Sequence, residues 1–566
     1  MDRRKTAVPR TARTRLSLAV SMAMFGAFAV SDPIYAACTP ATPTNGSAVD
    51  CSGVNTNLDL AASNLVITLM SGGVVTTSDP SKPAFTVTGT STSLYNGGSI
   101  DPSIGSSAFS STALKLVSPV FSNLSITNAA GSVIRGVSGD INGSLIDFTG
   151  VALDINNGLS GRTIIDNYGL ISTTLAIGAS ENAANRPVVA IYGGGRVIFL
   201  NSGSVIGRVG FESSLAGNIF VNGGTVIGSV SMGAGGTNTF TAVTGSSVSA
   251  SGASAGELIV VGMGGLNFAP TGIVDGGAGG NNTLRLQNDM SGGSGTNVGT
   301  GIIDSTKYIN FSNLVVDSGT WTLQGALLSG ASTQATLDGG VLLINNGAFA
   351  GSGTIYANGG TLNSSSSSIS IANNIVMGLN IGTGRNGLTV SNFTTPFTLS
   401  GVISGGSNAG LTKSGTGVLR LDGTNTYSGG TALNAGSLVI GSSQALGTGA
   451  VSAATGTRID SGATATLSNT INLTGTVNFG GTGNLTLSGA LQGNASSVLN
   501  KDGAGTLVLS NANTYGGGTT LGGGTLLVGN NASLGGGALT VSGASSLGAT
   551  QSVMLNNAVA LNSNLT

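Results

Sequence analysis

The sequence contains no histidine in its 566 residues. Without an imidazole, Ser-His-Asp and Cys-His nucleophilic mechanisms are excluded, and so is any histidine-ligated metal. Charge is scarce as well: 20 basic and 21 acidic residues make up only 7% of the chain. Six of the basic residues (Arg3, Arg4, Lys5, Arg10, Arg13 and Arg15) fall in the first fifteen positions. Removing residues 1–36 leaves 14 basic and 19 acidic residues, a weakly acidic chain without a basic cluster. That balance argues against nucleic-acid binding and against an electrostatic membrane anchor. The remaining acids form no Asp-Asp or Asp-x-x-Asp group, whereas carbohydrate-cleaving enzymes need paired carboxylates.

Glycine is what the chain has in quantity, 96 residues beside 40% apolar residues. Glycine alone would suit a disordered chain, but disorder also needs low hydrophobicity and high charge. Leu, Ile and Val instead alternate in short runs, which points to ordered β structure. One stretch occurs twice: 411–446 reads LTKSGTGVLRLDGTNTYSGGTALNAGSLVIGSSQAL and 499–534 reads LNKDGAGTLVLSNANTYGGGTTLGGGTLLVGNNASL. Lys413 matches Lys501, Leu419 and Leu421 match Leu507 and Leu509, and Tyr427 matches Tyr515, all 88 residues apart. A third, partial copy lies at 335–344, where Leu337 and Leu342 precede Leu433 and Leu438 by 96 residues. Leucines two apart share one face of a strand, and the intervening Gly-Gly, Asn-Thr and Asp-Gly steps supply turns. Strand, glycine turn, strand, turn at fixed spacing predicts an all-β solenoid, a parallel β-helix whose units bury their apolar edges on each other. At roughly 22 residues per coil, the part after residue 36 would make about 24 coils.

The Leu-Thr-Lys-x-Gly-x-Gly-x-Leu-x-Leu, Asn-Thr-Tyr-x-Gly-Gly-Thr and Gly-x-Leu-x-Ile-Gly segments resemble the passenger-associated strand repeat of bacterial autotransporters. The resemblance implies a right-handed parallel β-helix, export by the type V route, and an outer-membrane translocator barrel as partner. Residues 561–566 end in repeat-like sequence, with no series of aromatic-flanked ten-residue strands before them. The barrel is therefore expected in the full-length chain or in a separate one.

Taken in order, residues 1–36 read as a signal peptide: a basic start, an apolar run from Leu16 to Val30, and the small-residue exit Ile34-Tyr35-Ala36-Ala37. Residues 37–54 read as an N-terminal cap in which Cys38 and Cys51, the only cysteines, pair as a disulfide in an oxidising compartment. A lipid-modified Cys38 is the competing reading, disfavoured by Tyr35. Residues 55–300 form a loosely repetitive β-helix, in which the 201–207 segment recurs 21 residues later at 222–228. Charges gather slightly between Arg135 and Glu212, among them Asp140, Asp147, Asp154, Glu181, Arg186 and Arg208, and read as solvated turns on the outer face. The glycine-rich stretches at 232–240 and 277–284 are similar to calcium-binding nonapeptides. They carry Thr or Asn where a carboxylate is needed, and are assigned as turns. Residues 301–566 hold the strong repeats, with Trp321 as core packing and the serines at 364–368 as a polar loop. No catalytic, cofactor-binding or metal residue stands out. The expected function is surface display in adhesion or aggregation without catalysis, with cell-surface or matrix ligand unknown and no nucleic acid. The alternative is a β-helical polysaccharide-degrading enzyme.

Overall fold

The computed structural model describes residues 38–79, 81–104, 110–117, 123–138, 150–175, 182–253, 255–259, 266–289, 299–329, 332–365, 368–378, 387–392 and 396–566. The signal-peptide reading of 1–36 lies outside these residues, as do Asp140, Asp147 and Glu181. The period-two runs become strands that bury every second side chain; Val418–Leu421 and Thr506–Leu509 each turn two leucines inward. Strands of successive coils pair in parallel in sheets of 23, 15, 10 and 5 strands, so the chain is an all-β parallel β-solenoid. The exception among the described strands is a two-stranded antiparallel sheet, Leu258–Ile259 with Asn267–Phe268. One 3-10 turn, Ala183–Asn185, is the only helical element among the described residues. Ser364 ends the strand Thr354–Ser364 instead of opening a loop, because it pairs in register with Ile344.

Coil length is regular only in the second half. Leu411, Thr431, Val451, Ile471 and Leu491 stack in one ladder at intervals of 20 residues. In the first half Ala48 stacks on Val66, Val66 on Ser93, Asn123 on Arg162 and Thr239 on Thr283, steps of 18, 27, 39 and 44 residues. The uniform coil expected from the sequence fails there. Stacking constrains the strand, whereas a longer turn adds only a slowly growing closure entropy.

The 88-residue repeat is not a whole number of coils. Four 20-residue coils carry Leu411 to Leu491, and the remaining eight residues carry the chain to the next face. Thr431–Leu433 accordingly stacks between Leu411–Lys413 and Val451–Ala453, while its repeat mate Thr519–Leu521 stacks in another ladder, between Val498–Lys501 and Leu539–Val541. The partial copy obeys the same rule. Val341–Ile344 lies in the ladder that later holds Thr431–Leu433, one face behind Ser437–Ile440. Each copy is advanced by one face of the three-sided coil.

Inside, like stacks on like. Leu419 pairs with Leu438 and then Ile459; Phe199, Phe220 and Phe240 form a column with centroids 4.8 and 5.5 Å apart. At one buried corner Asn96, Asn128, Asn167, Asn201 and Asn222 form a ladder. Each amide Nδ2 donates to the Oδ1 of the next at 2.8, 2.8, 2.8 and 2.9 Å. The second N–H of each donates to a backbone carbonyl one coil on, such as Leu170 O and Ser204 O. These amides satisfy a corner where backbone would otherwise be buried without partners. At the N-terminal end the first rung, Ala48–Cys51, has its free edge taken by Thr39, which bonds Asp50 in both directions at 2.9 and 3.0 Å. Cys38 and Cys51 are joined there by a disulfide and are both buried.

Two outcomes follow. Leu507→Asp or Leu509→Asp places a carboxylate in the apolar stack, between Leu485 and Leu526 or between Leu487 and Val528, and should destabilise the C-terminal coils by about 3–5 kcal/mol. Urea unfolding with limited proteolysis reads this; wild-type protease resistance in both variants would reverse the face assignment. Reducing the Cys38–Cys51 bond should raise proteolytic cleavage in the first coils and leave the coils after 411 unchanged, readable by mass spectrometry of the fragments.

Candidate functional site

The two repeats separate cleanly into what is the same and what differs. Leu411, Lys413, Leu419, Leu421, Tyr427 and Leu433 are buried, and so are their mates Leu499, Lys501, Leu507, Leu509, Tyr515 and Leu521. The outward residues between them change: Thr412 becomes Asn500, Arg420 becomes Val508, and Ala432 becomes Thr520. Each buried tyrosine hydroxyl bonds a threonine four residues on, Tyr427 to Thr431 at 2.6 Å and Tyr515 to Thr519 at 2.7 Å. Asn425 and Asn513 make matching bonds. Their Oδ1 atoms accept from Ile403 N and Leu491 N at 2.8 Å, and their Nδ2 atoms donate to Ala445 O and Ser533 O at 2.6 Å.

The lysines of the repeat are buried although charged. Lys413 is 0% exposed and Lys501 2%. Their ammonium groups point into the coil and donate to turn carbonyls, Gly415 O and Ala435 O in the first copy, Gly503 O and Gly523 O in the second. The turn glycine that follows, Gly436 or Gly524, has φ of +72° or +66° and packs against the carbonyl of the preceding coil. A side chain there would meet backbone oxygen within 2.5 Å. The signal was in the sequence: Leu411-x-Lys413 has the same period-two spacing as the buried leucines.

Charges of the first half also depart from the solvated-turn reading. Arg186, Arg208 and Asp154 are 1, 3 and 3% exposed. Arg208 donates to Gly256 O at 2.7 Å. Asp154 lies outside the hydrophobic interior but under cover, paired with Lys115 Nζ at 3.1 Å and hydrogen-bonded by the Tyr192 phenol. Burial, with the Asp154 charge beside it, pushes the Tyr192 phenol well above its ordinary range, so it keeps its proton. The cover comes from the antiparallel strands around Phe268, whose ring packs on Gly210 and beside Ala190. Sequence could not show this, because the covering segment arrives from about 60 residues downstream of Arg208.

The glycine-rich stretches at 232–240 and 277–284 are corners filled by amides. Asn238 Nδ2 donates to Gly233 O and Gly276 O at 2.7 and 2.8 Å, and Asn282 Nδ2 to Gly277 O and Asn310 O at 2.6 and 3.0 Å. The turn carbonyls that would coordinate a cation already accept N–H groups. Trp321 is 2% exposed and donates from Nε1 to Ser318 O at 2.9 Å, a packing residue.

What remains for recognition is the outer surface. Thr389, Thr412, Ala432, Ser452, Asn472 and Gln492 stand in register along one face, an uncharged polar stripe. Beside it Ser407, Asn408, Gly429, Gly430, Ser452 and Asn472 border an open depression of about 450 Å³. The neighbouring face carries ion pairs, Arg420 with Asp422 at 2.7 Å and Arg458 with Asp460 and Asp502 at 2.7 and 2.8 Å. Exposed pairs of this kind stabilise little.

The parallel β-solenoid thus carries a uniform buried repeat beneath a variable outer surface. The family model of the passenger-associated-transport-repeat matches residues 411–440 and 499–528, four strands in each copy, so these segments are similar to the repeats of autotransporter passengers. No curated protein and no solved structure matches the chain. Passengers of this family are exported to the cell surface or secreted, in general with a C-terminal translocator barrel.

Burial pushes the Lys413 ammonium down to about 8, and Lys501 is lowered by the same cause, offset in part by Asp502. In the unfolded chain a lysine keeps its proton to about pH 10.4. Between the two values the unfolded state binds more protons, so stability should rise as pH climbs from 8 to 10. Above pH 10 the buried tyrosines, whose phenols burial raises, oppose it. Urea midpoints across this range should show the rise in wild type and lose part of it in Lys413→Met; a flat profile would place the ammonium in water.

Proposed function

We propose that the passenger acts by display and contact, in adhesion or aggregation, without turning over a substrate. The observation that carries the reading is the in-register polar stripe from Thr389 to Gln492, repeated once per coil on an open face. Parallel strands set these side chains about 4.8 Å apart, a spacing at which many weak hydrogen bonds can act together on an extended ligand. The absence of histidine from the sequence supports the same reading, since it removes the imidazole-dependent nucleophilic mechanisms. On this reading the disulfide-bonded segment at 37–54 protects the first rung from edge pairing, the looser coils of 55–300 extend the rod, and the coils of 301–566 carry the contact face.

Deleting residues 431–470 removes two 20-residue coils and brings Ile471 over Leu411 in unchanged register. Attachment to cells or matrix should weaken while the remaining coils stay folded by circular dichroism. Single changes such as Thr412→Ala or Asn472→Ala should alter attachment less than about twofold, as expected when no residue is a hot spot. The reading fails if the purified passenger cleaves a polysaccharide or a protein and one carboxylate substitution, Asp154→Asn first, abolishes that cleavage.

A further inference from the structure

On the outer face of the first sheet, three adjacent rungs depart from the polar pattern around them. The strand Arg162–Asn167 turns Arg162, Ile164 and Asp166 outward. Its neighbour Arg196–Asn201 turns out Arg196, Ile198 and Leu200, and the next, Ile219–Asn222, turns out Ile219 and Val221. The registers place Arg196 beside Arg162, Ile198 between Ile164 and Ile219, and Leu200 between Asp166 and Val221. The result is an aliphatic field with two arginines at one end and an acid at the other.

Among the described residues none of these charges has an ion-pair partner. Two arginines lie side by side on adjacent parallel strands, an arrangement that costs stability unless an anion joins them. Arg196 Nε is buried without a hydrogen-bond partner, and so is Asp166 Oδ1. Burial raises Asp166 above the ordinary carboxylate range, with no cation offsetting it. Along the strand the arginine and acid ends are four residues apart, about 13 Å. At the arginine end the corner turns raise Leu159, 90% exposed, and Leu215, fully exposed, above the field. At the acid end the corners carry Tyr168, 54% exposed, and then only glycines and small polar residues around Gly169, Gly203, Gly223 and Gly224.

We propose that this face is a homodimer interface, occupied by the same face of a second copy related by a two-fold axis near Ile198. Such an axis inverts the strand direction, so the arginines of each copy meet Asp166 of the other, and the aliphatic fields close on each other. It also brings the exposed leucines of each copy, Leu159 and Leu215, against the partner's corner that carries Tyr168 and the glycines. A two-fold contact must be self-complementary in this way. The acid at the field's far end disfavours a lipid surface, which would leave Asp166 desolvated and unpaired. The proposal is independent of the contact face between Thr389 and Gln492.

The experiment is sedimentation of the secreted full chain over a concentration series, with charge-swapped variants. Wild type should associate reversibly to a dimer. Asp166→Arg alone and Arg162→Glu with Arg196→Glu should each weaken association on the order of tenfold, since each sets like charges against like. Mixing the two variants makes every contact opposite again and should restore a dimer containing one of each. All these positions point outward, so circular dichroism and melting should stay as in wild type, and the mixing rescue is beyond the reach of a misfolded variant. A wild type that stays monomeric to about 100 μM overturns the proposal. Association unchanged by both variants, or no rescue on mixing, does the same. Binding to phosphatidylglycerol vesicles that Ile198→Glu abolishes, without dimerisation, would overturn it in favour of a lipid surface.

Discussion

Parallel stacking at one strand spacing governs everything else in this molecule. Each inward side chain has a counterpart directly above and below it, about 4.8 Å away. A position is therefore filled well only by a residue that packs against its own kind. Leucine and isoleucine do so by shape, phenylalanine by offset rings, asparagine by passing one amide hydrogen bond up the column. The Asn96-to-Asn222 ladder spans coils of 32, 39, 34 and 21 residues without a break. Turn length varies and the stacked position does not.

The same constraint explains why much of the architecture could be read from sequence and where the reading stopped. Period-two runs between glycine turns report the stacked strands directly, so the solenoid was legible from Leu419-x-Leu421 and its repeat, as was the 201–207 and 222–228 pair, which stack residue on residue. Coil length was not legible, because a turn of 44 residues and one of 20 leave the strand pattern untouched. The burial of Lys413 lay in its spacing, which is that of the buried leucines, while its charge points the other way. The solvated-turn reading of Asp154 failed for a different reason: its position faces outward, and Tyr192, packed beside Phe268 from far along the chain, lies against it. Local pattern reports which way a side chain points, and cannot report what arrives from elsewhere to cover it.

Buried charge in this fold is handled by backbone as much as by counter-ions. Lys413 and Lys501 use turn carbonyls, which converge at a solenoid corner because each coil turns in the same place. A corner offers oxygens from its own coil and the next, so one ammonium ties two coils together. The cost of burying it shows in its lowered pKa, and the three N–H donors recover part of that cost through carbonyls that would otherwise be short of partners. A methionine, one heavy atom shorter and uncharged, would remove the desolvation and leave the carbonyls unpaired.

The one-face advance of successive repeats bears on what the repeats are for. If their shared residues formed a ligand site, copies would serve best on one face, where neighbouring sites add to a continuous surface. Instead the 88-residue period rotates the second copy to the next face, and the 96-residue step from the partial copy does the same. The shared residues tolerate this rotation because the leucines, the lysine and the tyrosine among them point inward, where every face meets the same stack. Outward positions, which a partner would meet, differ between the copies: Arg420 against Val508, Thr412 against Asn500. The repeat that marks the family is thus a folding unit, indifferent to direction. On the proposed contact function, recognition falls to residues that the repeat leaves free to vary, on the outward faces individually, and not to the pattern that the copies share.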